Sequence, residues 1–295
     1  MVPTKIISNS IQANLRGQDA RFLTGFAGED DQDFIEEDDQ DVKPNGKKTC
    51  LLIVDPQNDF RETWPDGSIS SFIRNYLGTS SEPLDDVFVT LTTRHPHHHT
   101  NSSSWKNNGE VLHGMHVFSP QFSKYVPNGD FVLANTDQKK FWPKHCELGT
   151  QGHAIFPELE DALGEWEKRT GRSVHYVFKD AHQALDSLSP FYSVSIDSDG
   201  RASHVVDCKT LDLFYPYDTV YIGGTGYGHA LYHTIRDFVE IGGSKYVEKV
   251  TVCNEFHSRM SKWGREQSSS TETFLMVNEK RLDKFISENK LKTKR

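Results

Sequence analysis

Five short apolar runs, each ending in polar or small residues, constrain this chain more than any other feature. Cys50-Leu-Leu-Ile-Val-Asp55 is followed by Val87-Phe-Val-Thr-Leu-Thr92, Val174-His-Tyr-Val-Phe178, Thr219-Val-Tyr-Ile222 and Lys249-Val-Thr-Val252. Continuous apolar runs of this length read as strands buried on both faces, the habit of parallel sheets. Between the last two, His229 to Ile241 spaces Leu231, Ile235, Phe238 and Val239 as one face of a helix, and Gly242-Gly243 stops it. Phe156 to Trp166 repeats the pattern with Leu159, Leu163 and Trp166. Strands alternating with helices predict a three-layer α/β/α fold around a mainly parallel sheet, with right-handed crossovers. In that architecture functional groups gather at the carboxyl ends of the strands. Asp55, the Thr92–His95 turn, Lys179 and the Gly224–Gly228 turn all fall at such ends.

Charge divides the chain. The formal net charge is -9, and Glu29 to Asp41 holds nine acids and no base, so the rest is close to neutral. Residues 1–47 are therefore expected to form an acidic extension, solvated or docked on a basic partner. Residues 48–280 would form the folded domain, and 281–295, with Lys290-Leu-Lys-Thr-Lys-Arg295, a basic tail. No basic stripe interleaved with aromatics points to nucleic acid. No apolar run reaches the length of a membrane-spanning helix, and no secretory signal is evident, so an intracellular, cytoplasmic protein is the default expectation. Lys5, Arg16 and Arg21 among Ser, Asn and Gln leave a mitochondrial presequence as the alternative. Cys50, Cys146, Cys208 and Cys253 include no Cys-x-x-Cys pair, so they read as reduced thiols.

Three strings carry a resemblance. Leu51-Leu-Ile-Val-Asp-Pro-Gln-Asn-Asp-Phe60, Phe141-Trp-Pro-Lys-His-Cys146 with Gly149-Thr-Gln-Gly152, and Lys179 followed by Asp186-Ser-Leu-Ser-Pro-Phe191 resemble the nicotinamidases of the isochorismatase-like hydrolase family over residues 48–255. The segment 100–140 resembles an insertion of the eukaryotic branch. What the resemblance implies is an Asp–Lys–Cys hydrolase in which Asp takes the thiol proton and the thiolate attacks a carboxamide carbon, while turn amides hold the oxyanion. Asp55 then matches the base and Lys179 the lysine, but Thr225-Gly-Tyr-Gly228 puts Gly228 where the nucleophilic thiol belongs. Phe60, Trp64 and Tyr227 match aromatic residues of the substrate pocket.

The zinc site implied by the resemblance is altered as well. His95 and His145 match two ligands, whereas Thr93 stands in place of the expected Asp. That leaves one protein ligand fewer than the three that catalytic zinc usually has. His97, His98 or His99 could substitute, and the fixed charge of Arg94 opposes a divalent ion. Cys146 and Cys253 read as buried packing thiols, and because neighbours along a turn point in different directions, neither Tyr227 nor His229 is expected to replace the thiol. Two function classes follow. One is a nicotinamidase-like pseudoenzyme, with no cofactor, that serves as a structural or interaction subunit or binds a pyridine carboxamide; its partners would be other proteins or further copies of itself. The alternative is an active zinc-dependent amidohydrolase with an altered nucleophile or substrate.

Overall fold

The computed structural model describes residues 46–64, 66–98, 106–107, 110–111, 145–182, 185–196, 202–227, 229–257 and 280–294. All belong to the compact unit Lys43–Arg295. The acidic run, most of the 100–140 insertion and Gly228 lie outside the described residues.

A six-stranded sheet in the order β11-β10-β9-β1-β2-β5 forms the centre, built from β1 (Thr49–Val54), β2 (Asp86–Thr92), β5 (His175–Lys179), β9 (Thr219–Gly224), β10 (Val250–His257) and β11 (Lys292–Lys294). Every pairing in it is parallel. The remaining strands are the short pair β3 (Lys106–Asn107) and β4 (Glu110–Val111) and an antiparallel sheet of β6 (Leu185–Ser189), β7 (Tyr192–Ile196) and β8 (Ala202–Val206). Alternation along β1 sorts the core into two layers. Leu51 and Ile53 pack with Phe156, Leu159, Leu163 and Trp166 on the face covered by α1 (Ser68–Phe72) and α2 (Pro157–Thr170). Cys50, Leu52 and Val54 pack on the other face with Leu231, Ile235 and Phe238 of α4 (Ala230–Gly242), beside α3 (Cys208–Asp212) and α5 (Ser244–Val247). This is the α/β/α arrangement that the run spacing predicts. Among the described residues no helix is long and apolar enough to cross a membrane.

Two features depart from the sequence reading. The antiparallel sheet falls in a stretch read only as a motif, because Tyr192-Ser-Val-Ser-Ile196 is too polar to stand out as a buried run. The segment 281–295, read as a basic tail, is part of the fold: residues 280–288 are helical, Leu282 and Leu291 are buried in the α4-side core, and Lys292–Lys294 pair with β10. Its buried leucines sit among exposed charged residues, which is why charge alone misread it.

Strand order reverses at β1, which lies between β2 and β9. The crevice beyond its carboxyl end is the position where open α/β sheets bind ligands. Gly224, at the end of β9, makes the close approach there possible. Its φ is +143°, and a Cβ would run into the backbone carbonyl of Val54. We expect Gly224→Ala to destabilise the fold by about 2–5 kcal/mol, combining a glycine-only backbone conformation with overpacking, read from the urea-unfolding midpoint.

Candidate functional site

Asp55 leaves β1 with φ +47°, a left-handed conformation uncommon for a residue with a side chain. The backbone around it explains why it is held there. Its N–H donates to Thr90 O (3.1 Å), and its carbonyl accepts from Gln57 N (2.9 Å) and from the Thr225 hydroxyl (2.5 Å). That places the carboxylate, 1% exposed, among three donors. Oδ1 accepts from Thr90 Oγ1 at 2.7 Å, and Oδ2 accepts from Thr92 Oγ1 at 3.0 Å and from Lys179 Nζ at 2.7 Å. Lys179 ends β5 and is itself 4% exposed. The pair identified from sequence is thus a buried ion pair joining the ends of β1, β2 and β5.

The Gln57-Asn58-Asp59 string docks a loop. Buried Gln57 donates through Nε2 to Thr92 O and His153 O and accepts from Thr92 N, each at 2.9 Å. Asn58 N donates to Ala154 O (2.9 Å), and Asp59 Oδ2 accepts from Cys146 N (2.6 Å). A side chain at residue 152 would collide with the Asp59 carboxylate, so Gly152 is needed for this seat. The loop 145–155 is thereby fixed beside the Asp55–Lys179 pair.

The residues matched to metal ligands make several contacts within the protein. Thr93 Oγ1 donates to Leu91 O (3.2 Å) and lies 2.9 Å from His153 Nε2. A hydroxyl has one proton, so with that proton on Leu91 the imidazole is the donor in the second contact. Burial holds His153 below the ordinary histidine range, which keeps the ring neutral. Sequence reasoning passed over His153 because it follows the glycine motif rather than belonging to it. His95 is exposed, and its Nδ1 accepts from the His97 N–H (3.3 Å). His145 packs against Phe60, with ring centroids 5.5 Å apart. His98 is buried with Nε2 2.5 Å from Leu185 O, and His99 lies outside the described residues. Among the described residues no group of three His, Cys, Asp or Glu side chains could hold a metal ion.

Arg94 is buried and turned onto Asp180 (3.4 Å) and Asp186 (3.6 Å), so its charge is compensated within the protein. Burial raises the Asp180 carboxyl above its ordinary value, against the opposing pull of Arg94 and Lys179.

Of the pocket aromatics, Phe60 is half-buried beside His145, while Trp64 and Tyr227 are committed to the core. Trp64 meets Phe156 edge-on at 5.5 Å, and the Tyr227 hydroxyl donates to Asp283 Oδ1 at 2.7 Å. Cys146 is buried, and its thiol is pushed well up, first by burial and then by the Asp55 and Asp59 carboxylates. Cys253 is pushed up to about 12 by burial. His229 is buried and starts α4.

No family model matches the chain, and no curated protein matches its sequence. Solved structures do match its fold. The yeast nicotinamidase Pnc1p superposes with a TM-score of 0.54 at 17% identity, covering 83% of this chain and 98% of that one. Pnc1p bound to the inhibitor nicotinaldehyde gives 0.51 at 19% identity over 83% and 98%. A nicotinamidase/pyrazinamidase from Acinetobacter baumanii gives 0.50 at 15% identity over 84% and 95%. The chain has the nicotinamidase fold. At these identities the likeness is one of architecture, and the nicotinamidase-like strings at Asp55 and Lys179 lie on it where strands end.

Two measurements follow. Lys179→Met strands a buried carboxylate and should cost about 3–5 kcal/mol of stability, whereas Asp55→Asn/Lys179→Met should cost less than the single change, as compared by thermal unfolding. Alkylation with iodoacetamide at pH 8, mapped by mass spectrometry, should label exposed Cys208 and leave buried Cys50, Cys146 and Cys253 slower by on the order of 100-fold. Fast labelling of Cys146 would instead reveal a reactive thiolate beside Asp55.

Proposed function

We propose that this nicotinamidase-fold chain does not carry out thiol hydrolysis and serves as a binding or interaction module, with a pyridine carboxamide or a protein surface, including a second copy of itself, as its ligand class. One observation carries the reading: the acid–base pair is present and closed while the sequence supplies no thiol to it. Position 228 is glycine. Asp55 already accepts from Thr90, Thr92 and Lys179, and the nearby thiol of Cys146 is held protonated by burial. A carboxylate in this setting acts as a structural tie, since losing either member of a buried pair leaves an uncompensated charge.

Magnitude supports the choice. Removing one member of a nucleophilic triad typically lowers turnover by about 10⁴ to 10⁶. The reading includes no resident zinc, because Thr93 replaces the carboxylate and is engaged with His153. It also includes no nucleic acid. The nicotinamidase resemblance makes nicotinamide and nicotinic acid the first ligands to titrate by calorimetry.

Ammonia release from nicotinamide tests the proposal directly, with zinc supplied to the native protein, to Gly228→Cys/Thr93→Asp and to Asp55→Asn. We expect no release from the native chain and from Asp55→Asn, and measurable release from the double variant. Release from the native chain that disappears in Asp55→Asn would overturn the proposal and call for another nucleophile.

A further inference from the structure

The turn that leads from β9 into α4 is anchored from two sides. On the sheet side Thr225 N donates to Val54 O (2.7 Å) and its hydroxyl to Asp55 O (2.5 Å). On the helix side His229 N donates to Gly226 O (2.7 Å), and Leu231 N is 3.1 Å from both Thr225 O and Gly226 O. A further tie leaves this frame: the buried Tyr227 hydroxyl reaches Asp283 Oδ1 at 2.7 Å, on the helix over 280–288.

That helix is held in turn. Leu282 shares a buried cluster with Tyr227, Leu231 and Ile235, and Phe285 packs edge-on against Tyr232 of α4 at 6.0 Å. Beyond it, β11 pairs with β10, and Lys294 Nζ donates to Glu82 Oε2 (2.9 Å) while lying 4.6 Å from the centre of the Tyr221 ring. The sheet, the helix and the turn are thus connected through one C-terminal segment.

We infer that Asp283 is a positioning residue for the Thr225–Gly226–Tyr227 turn, and that residues 280–294 form a clasp that orders the turn from outside the β1, β2 and β5 frame. Asp283 touches no group of the Asp55–Lys179 pair; it acts through Tyr227. The clasp rests on the contacts above, and its relevance to a ligand rests on the reading of this turn as part of the site. A partner that draws 280–294 away would loosen the turn while leaving β1, β2 and β5 paired.

Hydrogen exchange by mass spectrometry on the full chain tests this. Asp283→Ala and Tyr227→Phe should each raise exchange of the amides at 226–231 by about 10-fold or more, the scale of a hydrogen bond to a charged acceptor, with β1 unchanged. The double variant should add little to either single one, since both remove the same bond. Asp283→Asn keeps a carbonyl acceptor for the tyrosine hydroxyl and should restore most of the protection. Tyr227→Phe keeps the ring packed, so it provides the comparison if Asp283→Ala fails to fold. Unchanged exchange at 226–231, or an equal rise in β1, would overturn the inference. The readout needs no ligand, so it stands or falls separately from the ammonia assay.

Discussion

The ion pair between Asp55 and Lys179 is the constraint on which the rest of the site depends. Its members come from the ends of β1 and β5, on either side of β2, and the hydroxyls that complete it come from Thr90 and Thr92 of β2. Burying two charges is costly unless each is paired and further hydrogen-bonded. The arrangement satisfies both requirements at once: one oxygen takes Thr90 and the other takes Lys179 and Thr92. The left-handed backbone of Asp55 is held by Thr90, Gln57 and Thr225, so strand ends far apart in sequence converge on one residue.

Around that pair the side chains form ties within the protein. Gln57 and Asp59 seat the loop 145–155. Thr93 and His153 meet where the resemblance implies a metal ligand, and Arg94 is compensated by Asp180 and Asp186. Thr93 and Arg94, two departures from the nicotinamidase-like pattern, are each engaged by a partner in this chain. The stability of such a scaffold comes from its core and its strand-end ties, which do not require a thiol.

The carboxyl-terminal segment extends the same logic to the turn before α4. Its apolar residues enter the core beside α4, and its last strand closes the sheet next to β10. Basic composition disguised this, although the Lys294 ammonium sits over the Tyr221 and Tyr76 rings, a cation–π contact that suits a strand at the sheet edge.

Much of the architecture was legible from local pattern. The runs at 50–55, 87–92 and 219–222 and the helical spacing of Leu231, Ile235 and Phe238 are properties of neighbouring residues, and burial on both faces leaves that mark in any parallel sheet. Asp55 and Lys179 could be singled out because each ends such a run. What tertiary structure alone decided is how side chains were spent: Tyr227 on Asp283, Thr93 on His153, Arg94 on two buried acids, and Trp64 on the core. None of these pairs is adjacent in sequence, and a polar side chain's partner is set by which groups the fold leaves within about 3 Å of it. The sequence by itself therefore determined the sheet, the strand ends and the absence of a thiol at position 228, because these depend on residue type and local spacing. The closure of the pair, the engagement of Thr93 with His153 and the Tyr227–Asp283 bond were decided only when distant segments met.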